Sequence, residues 1–309
     1  MLASLAIGGL APPLAEAFRP FVVPVSVIMV VVSMLRVDPT GLLDAFRYPV
    51  FLALACGVIL LVLPTATALT CFALAAPFWL ATGLTYAAAA PPLSSAAAFA
   101  LLVRTDPARV TAISLPATLI APFTVWLVTT SLPGLGSGAA LLPLVTRLMA
   151  IILGALAFAL LVRRLLGEDR VAGWAEGFDM TTALLVAAMG IGVMYDIGLT
   201  LRSDPLQWLG ILAATALLSW ISLGLAIALF WCAGREAAMA AGLCASVKNM
   251  AVMVAAVLGT VDPRISLIVV TAQFPIKAYP FDYGTAGYCA GGRSPDPRRN
   301  PRRRRRAAA

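Results

Sequence analysis

Apolar residues run along this chain in long blocks, and it is these blocks, with no alternating pattern, that define its elements. Measured against charged residues and Pro/Gly breaks, they form ten stretches, near 2–18, 20–35, 49–70, 75–103, 108–130, 140–163, 180–199, 206–233, 237–259 and 264–280. A hydrocarbon core about 30 Å thick is crossed by about 20 helical residues rising about 1.5 Å each, so the blocks predict transmembrane helices. Between Arg47 and Arg104 lie 56 consecutive residues without one Asp, Glu, Lys or Arg. A soluble core cannot hide that much uncharged chain, because burial is limited by surface-to-volume scaling. The pattern predicts an all-α polytopic membrane protein of about ten helices.

Composition agrees and narrows the function. Hydrophobic residues make up 61% of the 309, charged residues 12%, and the mean hydropathy is +0.96. That excludes a soluble enzyme, a secreted disulfide scaffold and a disordered chain. Residues 1–276 carry 13 basic and 12 acidic side chains, whereas 277–309 carry 9 and 2, so the basic balance belongs to the tail and does not point to nucleic acid. There is no histidine, which removes imidazole metal sites, Ser-His triads and imidazole proton relays. Cys56, Cys71, Cys232 and Cys244 lie in apolar runs, as packing residues do, and with Cys289 they offer no CxxC spacing. No metal or other cofactor is expected, and an integral membrane enzyme would need converging catalytic groups that are absent here. Met1–Phe18 has no basic residue before its apolar stretch, so a short first helix is expected in preference to a signal peptide.

Ten spans with an inside N-terminus put Arg36, Arg47, Arg104, Arg109, Arg163, Arg164, Arg170 and Arg235 on the cytoplasmic side and only Arg19, Arg147, Arg202 and Arg264 opposite. This bias predicts cytoplasmic termini in a bacterial inner (plasma) membrane. Trp126, Trp174, Trp208 and Trp231 fall near run ends, where an aromatic belt places them.

Ten spans divide into two halves of five. The fourth run of the first half is interrupted by Ala90-Pro91-Pro92-Leu93-Ser94-Ser95, and that of the second half by Cys244-Ala245-Ser246-Val247-Lys248-Asn249. Two prolines remove two backbone donors and drive the residue before them out of helical geometry. Breaks at corresponding places mark inverted repeats whose broken helices meet near the midplane. Lys248, the only lysine of the spanning region, costs roughly 2.5–3.5 kcal/mol at that depth and calls for a partner. Candidates are Asp196, a carboxylate substrate, or carbonyls of the half-helices. Asn249 adds a donor and an acceptor, and Ser94, Ser95 and Ser246 add hydroxyls. Gly134-Leu135-Gly136-Ser137-Gly138 lacks the following Lys-Ser/Thr of a phosphate loop and is expected to be a simple connection.

At both breaks the chain resembles the bile acid:sodium symporter superfamily, which also contains arsenite exporters. The stretch Pro91-Pro92-Leu93-Ser94-Ser95-Ala96-Ala97, then Arg104-Thr105-Asp106 and Ala121-Pro122, resembles that family's broken fourth helix and its fifth. Cys244 to Asn249 is similar to the broken ninth, and Asp262-Pro263 with Ala272-Gln273-Phe274 fits the approach to the last helix. The resemblance, over roughly residues 20–276, implies ten helices in two inverted five-helix repeats. A core (49–130 and 206–276) would move against a panel (2–36 and 140–199), carrying organic anions. It also implies that the sodium-ligand positions here read Ile59, Ala96, Ala97, Cys244 and Lys248, with Ser114 in a threonine's place. Five oxygen ligands are therefore lost and a cation is gained.

The expected function is secondary active transport of a small organic anion without sodium. Pro91, Pro92, Ser94, Ser95, Ser114, Cys244, Ser246, Lys248 and Asn249 are the candidate substrate and ion residues, and lipid is the other partner. A sodium-coupled symporter and a non-transporting sensor on the same fold are the alternatives. After Ile265–Ile276 the composition switches abruptly to Gly, Pro and Arg. Such a tail is either drawn to anionic lipid or the product of a frameshift, and the break in mid-run favours the second.

Overall fold

The structure, a computed structural model, describes residues 8–36, 49–93, 96–103, 105–132 and 138–275. Ser94, Ser95, Arg104, the glycine-rich connection up to residue 137, Cys289 and the Arg-rich tail lie outside the described residues. Among those described, every regular element is helical. They run α1 Pro12–Leu35, α2 Pro49–Ala73, α3 Phe78–Ala89, α4 Ala96–Leu102, α5 Pro107–Ser131, α6 Gly138–Leu166, α7 Glu168–Ala172, α8 Ala175–Ser203, α9 Pro205–Phe230, α10 Arg235–Ser246, α11 Met250–Val257 and α12 Pro263–Thr271.

Six of these, α1, α2, α5, α6, α8 and α9, are long and apolar enough to cross a membrane. Their outward faces carry exposed side chains such as Phe123, Leu160 and Ile221, a surface suited to lipid and penalised in water. The chain is an all-helical integral membrane protein.

The expected runs 2–18 and 20–35 do not form two spans. Through Arg19, Phe21 and Val22 the backbone stays in the right-handed helical region, so α1 is continuous with one tight turn at Arg19–Phe21. Pro20 sits at the start of that turn, where its missing N–H is least costly. The Arg19 charge, which marks a boundary in the sequence, is instead absorbed by Asp196 at 3.2 Å and the Tyr195 ring at 4.8 Å. The expected runs 75–103 and 237–259 are each two short helices around a break. The described part of the last run is the 9-residue α12 followed by a helical turn at 273–275, and 276–280 lie outside the described residues.

Prolines open several helices, with their fixed φ already helical and their missing N–H one of the orphans of a first turn. Pro49 and Pro205 begin α2 and α9; Pro107 and Pro263 begin α5 and α12. Ahead of the last two stand Asp106 and Asp262, whose carboxylates accept the N–H of Ala108 (2.9 Å) and Arg264 (2.7 Å). The separation from Pro49 to Pro205 is the same as from Asp106 to Asp262 and from Pro107 to Pro263. In that register α1 falls opposite α8, and α6 has no counterpart among the described residues.

Two groups of helices result. In one, α2 packs on α3, α3 on α12, α9 on α10, and α4 and α10 on α5; in the other, α1 packs against α6 and α8; the two also meet directly, where α5 packs on α6 and α8 on α9. Gly192 brings α8 close to α1: a Cβ there would lie 2.8 Å from the Phe18 carbonyl oxygen. Ion pairs clamp this second group at both ends, Arg19–Asp196 at one and Arg36–Asp179 (2.6 Å) at the other. All eight residues of α11 are buried, and it touches α1 and α6 as well as α12. The seam between the groups therefore runs past the second break.

Candidate functional site

Pro91 and Pro92 end α3, leaving Ala90 extended (φ −56°, ψ 139°), as pre-proline sterics require. The second break contains no proline; Val247 (φ −89°, ψ 84°) and Asn249 (φ −81°, ψ 78°) nevertheless leave helical geometry between α10 and α11. Tertiary pairing explains this. Pro92 and Lys248 face each other in an antiparallel bridge. The Leu93 N–H donates to the Val247 carbonyl at 2.9 Å, and the Asn249 N–H donates to the Pro91 carbonyl at 2.7 Å. Backbone groups freed at membrane depth must find partners inside the protein, and each break supplies the other's. The spacing that relates Pro49 to Pro205 also relates Pro92 to Lys248. Applied to the crossing, it exchanges the two hydrogen bonds with each other.

Lys248 is 5% exposed, and its Nζ donates to the Ile59 carbonyl oxygen at 3.4 Å. That carbonyl is available for a local reason. Residues Val58–Val62 of α2 form a π-turn, in which the Leu63 N–H donates back to Val58. In this register the next donor for Ile59 belongs to residue 64, a proline without an N–H. The orphaned carbonyl is met by the ammonium. Such π-turns frequently occur at functional sites. Asp196, a candidate partner in the sequence, pairs with Arg19 instead, because it lies toward the far end of α8 from the crossing.

The remaining candidates divide. Ser114 Oγ donates to the Val110 carbonyl at 2.7 Å and lies 3.8 Å from Cys244 Sγ, which is itself 3.6 Å from the Val110 oxygen. Ser114 and Cys244 are thus brought together between α5 and α10, both buried. Cys56 Sγ, on α2, is 3.9 Å from the Ile113 carbonyl oxygen in the same layer. Ser246 is spent on its own helix, donating to Gly242 at 3.0 Å, the usual fate of a serine in a membrane helix. Asn249 precedes α11, but its side chain makes no cap hydrogen bond.

A small cavity lies on the other side of the crossing. Leu93, Lys248, Asn249, Met250, Ala251 and Gln273 form one wall, and Met29 of α1 with Val186 and Met189 of α8 form the other. About 30 Å³ is open to the centres of water molecules, room for roughly two waters. Gln273, which in the sequence is only part of the approach to the last helix, is 4% exposed, and its Nε2 has no hydrogen-bond partner among the described residues. A buried amide donor left unpaired costs about 1–3 kcal/mol, so this is where a ligand oxygen would be welcomed. Among the described residues, the polar side chains of this wall are those of Lys248, Asn249 and Gln273, and no carboxylate lines it. No protein-family model matches the chain, and none of the curated proteins matches it.

Proposed function

We propose that this chain is a secondary active transporter that carries a small organic anion by alternating access and does so without sodium. The observation that carries the reading is Lys248: a buried ammonium at the junction of two paired helix breaks, next to a cavity whose other polar side chains are Asn249 and Gln273. Broken backbone at membrane depth is tolerated where it lines a cavity or is buried in protein, and both conditions hold at this crossing.

The common spacing of Pro49/Pro205, Pro92/Lys248 and Asp106/Asp262 supports an inverted repeat. Five helical passages separate Pro49 from Pro205 if α3 and α4 together cross once, so the second copy runs in the opposite direction. α1, α6 and α8 serve as the panel, and α2–α5 with α9–α12 as the moving core. The cavity takes residues from both, which is where alternating access places a substrate. With space for only about two waters beside Lys248, the panel has to move away for an aromatic anion to be held there. Because α1 is one helix, basic Arg36 on the cytoplasmic side puts its Pro12 end on the other face, opposite to the inside N-terminus expected from ten spans and their loop charges.

Sodium independence rests on chemistry. A sodium ion needs several oxygen ligands, whereas Ile59, Ala96, Ala97, Cys244 and Lys248 offer no side-chain oxygen and the Ile59 carbonyl is already taken by Lys248 Nζ. The test is thermal stabilisation of the purified protein by benzoate, phenylacetate and 2-naphthalenesulfonate, each in sodium and in choline buffer. Ligands that bind the folded form raise its stability in proportion to occupancy. Equal stabilisation in both buffers is expected; stabilisation in sodium alone would refute the sodium-free reading, and no response to any anion would refute the anion site.

Pro64→Ala checks the π-turn. It restores a donor for the orphaned carbonyl and removes a helix-interior proline, so stability is expected to rise by about 1–3 kcal/mol. Stabilisation by 2-naphthalenesulfonate is expected to shrink at the same time, because Lys248 loses its acceptor. An undiminished response would show that the Ile59 carbonyl does not position the lysine.

A further inference from the structure

We propose that transport is coupled to a proton carried on Lys248 Nζ, which is bound when the anion enters and released when it leaves. The inference rests on the anion-transport reading above and adds the identity of the coupling ion.

The argument begins with what surrounds the ammonium. Its protein hydrogen bond is one carbonyl at 3.4 Å, near the long limit for such a bond. The titratable groups on the elements packed around it are Cys244 on α10, with Arg235 and Glu236 at that helix's opposite end, Cys56 and Cys71 on α2, the buried Tyr86 on α3, and Arg264 in the first turn of α12. On α6, Arg147 is committed to the Leu258 carbonyl (2.7 Å) at the far end of α11, and the neighbouring side chain just beyond α12 is the neutral Gln273. The described carboxylates sit toward helix ends, and several are held by arginines: Asp196 by Arg19, Asp179 by Arg36 and Glu168 by Arg163. Among the described residues, therefore, the charge on Lys248 has no fixed anion to balance it.

An uncompensated ammonium in low dielectric is costly, and a neutral amine at the same place is not. A bound organic anion supplies the missing charge, so the loaded site holds an ammonium–anion pair with no net charge. When the anion leaves, the pair is broken, and the amine returns neutral after giving its proton to water. The cavity beside Lys248, with room for roughly two waters, provides the proton acceptor on the open side. Per cycle one anion and one proton move together, from R–NH₂ plus H⁺ to R–NH₃⁺ on loading and back on release. The backbone of Lys248 is bridged to Pro92, so the group that binds the proton is part of the element that carries the substrate.

The test uses the full chain in sodium-free liposomes with pyranine inside and the membrane voltage held at zero by valinomycin and equal potassium. 2-Naphthalenesulfonate is the probe, because a permanently ionised sulfonate cannot leak as a neutral acid. Its entry is expected to acidify the lumen, and an inward gradient of one pH unit is expected to speed net uptake by up to about tenfold. Entry without acidification overturns the proton and leaves the anion reading standing; no entry at all overturns both. Lys248→Arg keeps the charge but cannot release a proton. Its net uptake is expected to fall at least ten times further than its exchange of external for internal probe. Equal loss of both would assign Lys248 a structural role and overturn the proposal.

Discussion

Replacing Lys248 by Met is expected to make the protein more stable and unable to transport. The two effects have opposite signs because they come from different states. In the resting protein the Lys248 side chain is 5% exposed, and a single carbonyl at 3.4 Å is all that offsets the burial of its amino group. Insertion scales put a centrally placed lysine at roughly 2.5–3.5 kcal/mol. Met is unbranched, of similar length and adaptable to irregular space. The Ile59 carbonyl loses its donor, which returns part of the gain, so a net stabilisation of about 1–3 kcal/mol is expected. Net uptake of 2-naphthalenesulfonate, by contrast, is expected to fall about a hundredfold, equivalent to about 2.7 kcal/mol. Thermal unfolding in detergent and flux into liposomes measure the two separately. A variant that is destabilised by several kcal/mol would make Lys248 a structural residue, and one that transports normally would remove it from the site.

The second large effect belongs to the crossing itself. Leu93→Pro is expected to cost about 1–3 kcal/mol of stability and to reduce uptake at least tenfold. The Leu93 N–H is one of the two donors that join the breaks, and its loss leaves the buried Val247 carbonyl without that partner. Leu93→Ala keeps the N–H while removing most of the side chain, and it separates the backbone role from the cavity-wall role. If the proline and alanine variants behave alike, the pairing of the breaks contributes nothing beyond packing. If only the proline variant fails, the two half-helix pairs are held in register by the bridge, as a moving core requires.

Much of the fold was legible from apolar run length alone, because a bilayer imposes one requirement on every spanning segment. Five of the six long helices match single blocks visible in the sequence to within a few residues, and both breaks fall inside such blocks. The boundary between 2–18 and 20–35 was misplaced for a specific reason. Arg19-Pro20 has the composition of a turn, but the partners that make it a surface point of a continuous helix, Asp196 and Tyr195, lie far away in the chain.

The candidate site was legible in part. Lys248 stands out as a lone cation in an apolar run, and Pro91-Pro92 as an enforced break. Ser246 carried the same polar signal as Asn249, and only the structure sorts them: one hydroxyl turns back to Gly242, while Asn249 lines the cavity. Ile59 has no polar side chain, so its role as the acceptor for Lys248 is carried entirely by its backbone. The one signal available for it was Pro64, five residues further on in an otherwise helical run.

By itself, then, the sequence determined that this protein lives in a membrane, is helical, and is interrupted at two places, one of which holds a positive charge. These follow from composition and local stereochemistry, which act over a few residues. Tertiary structure decided that the two interruptions pair, that an orphaned carbonyl on α2 receives the ammonium, and that Gln273 joins the cavity with its amide unpaired. Those outcomes depend on which distant segments meet, and at membrane depth the rule selecting the meeting is that a backbone group deprived of its helix must be satisfied by another part of the same chain.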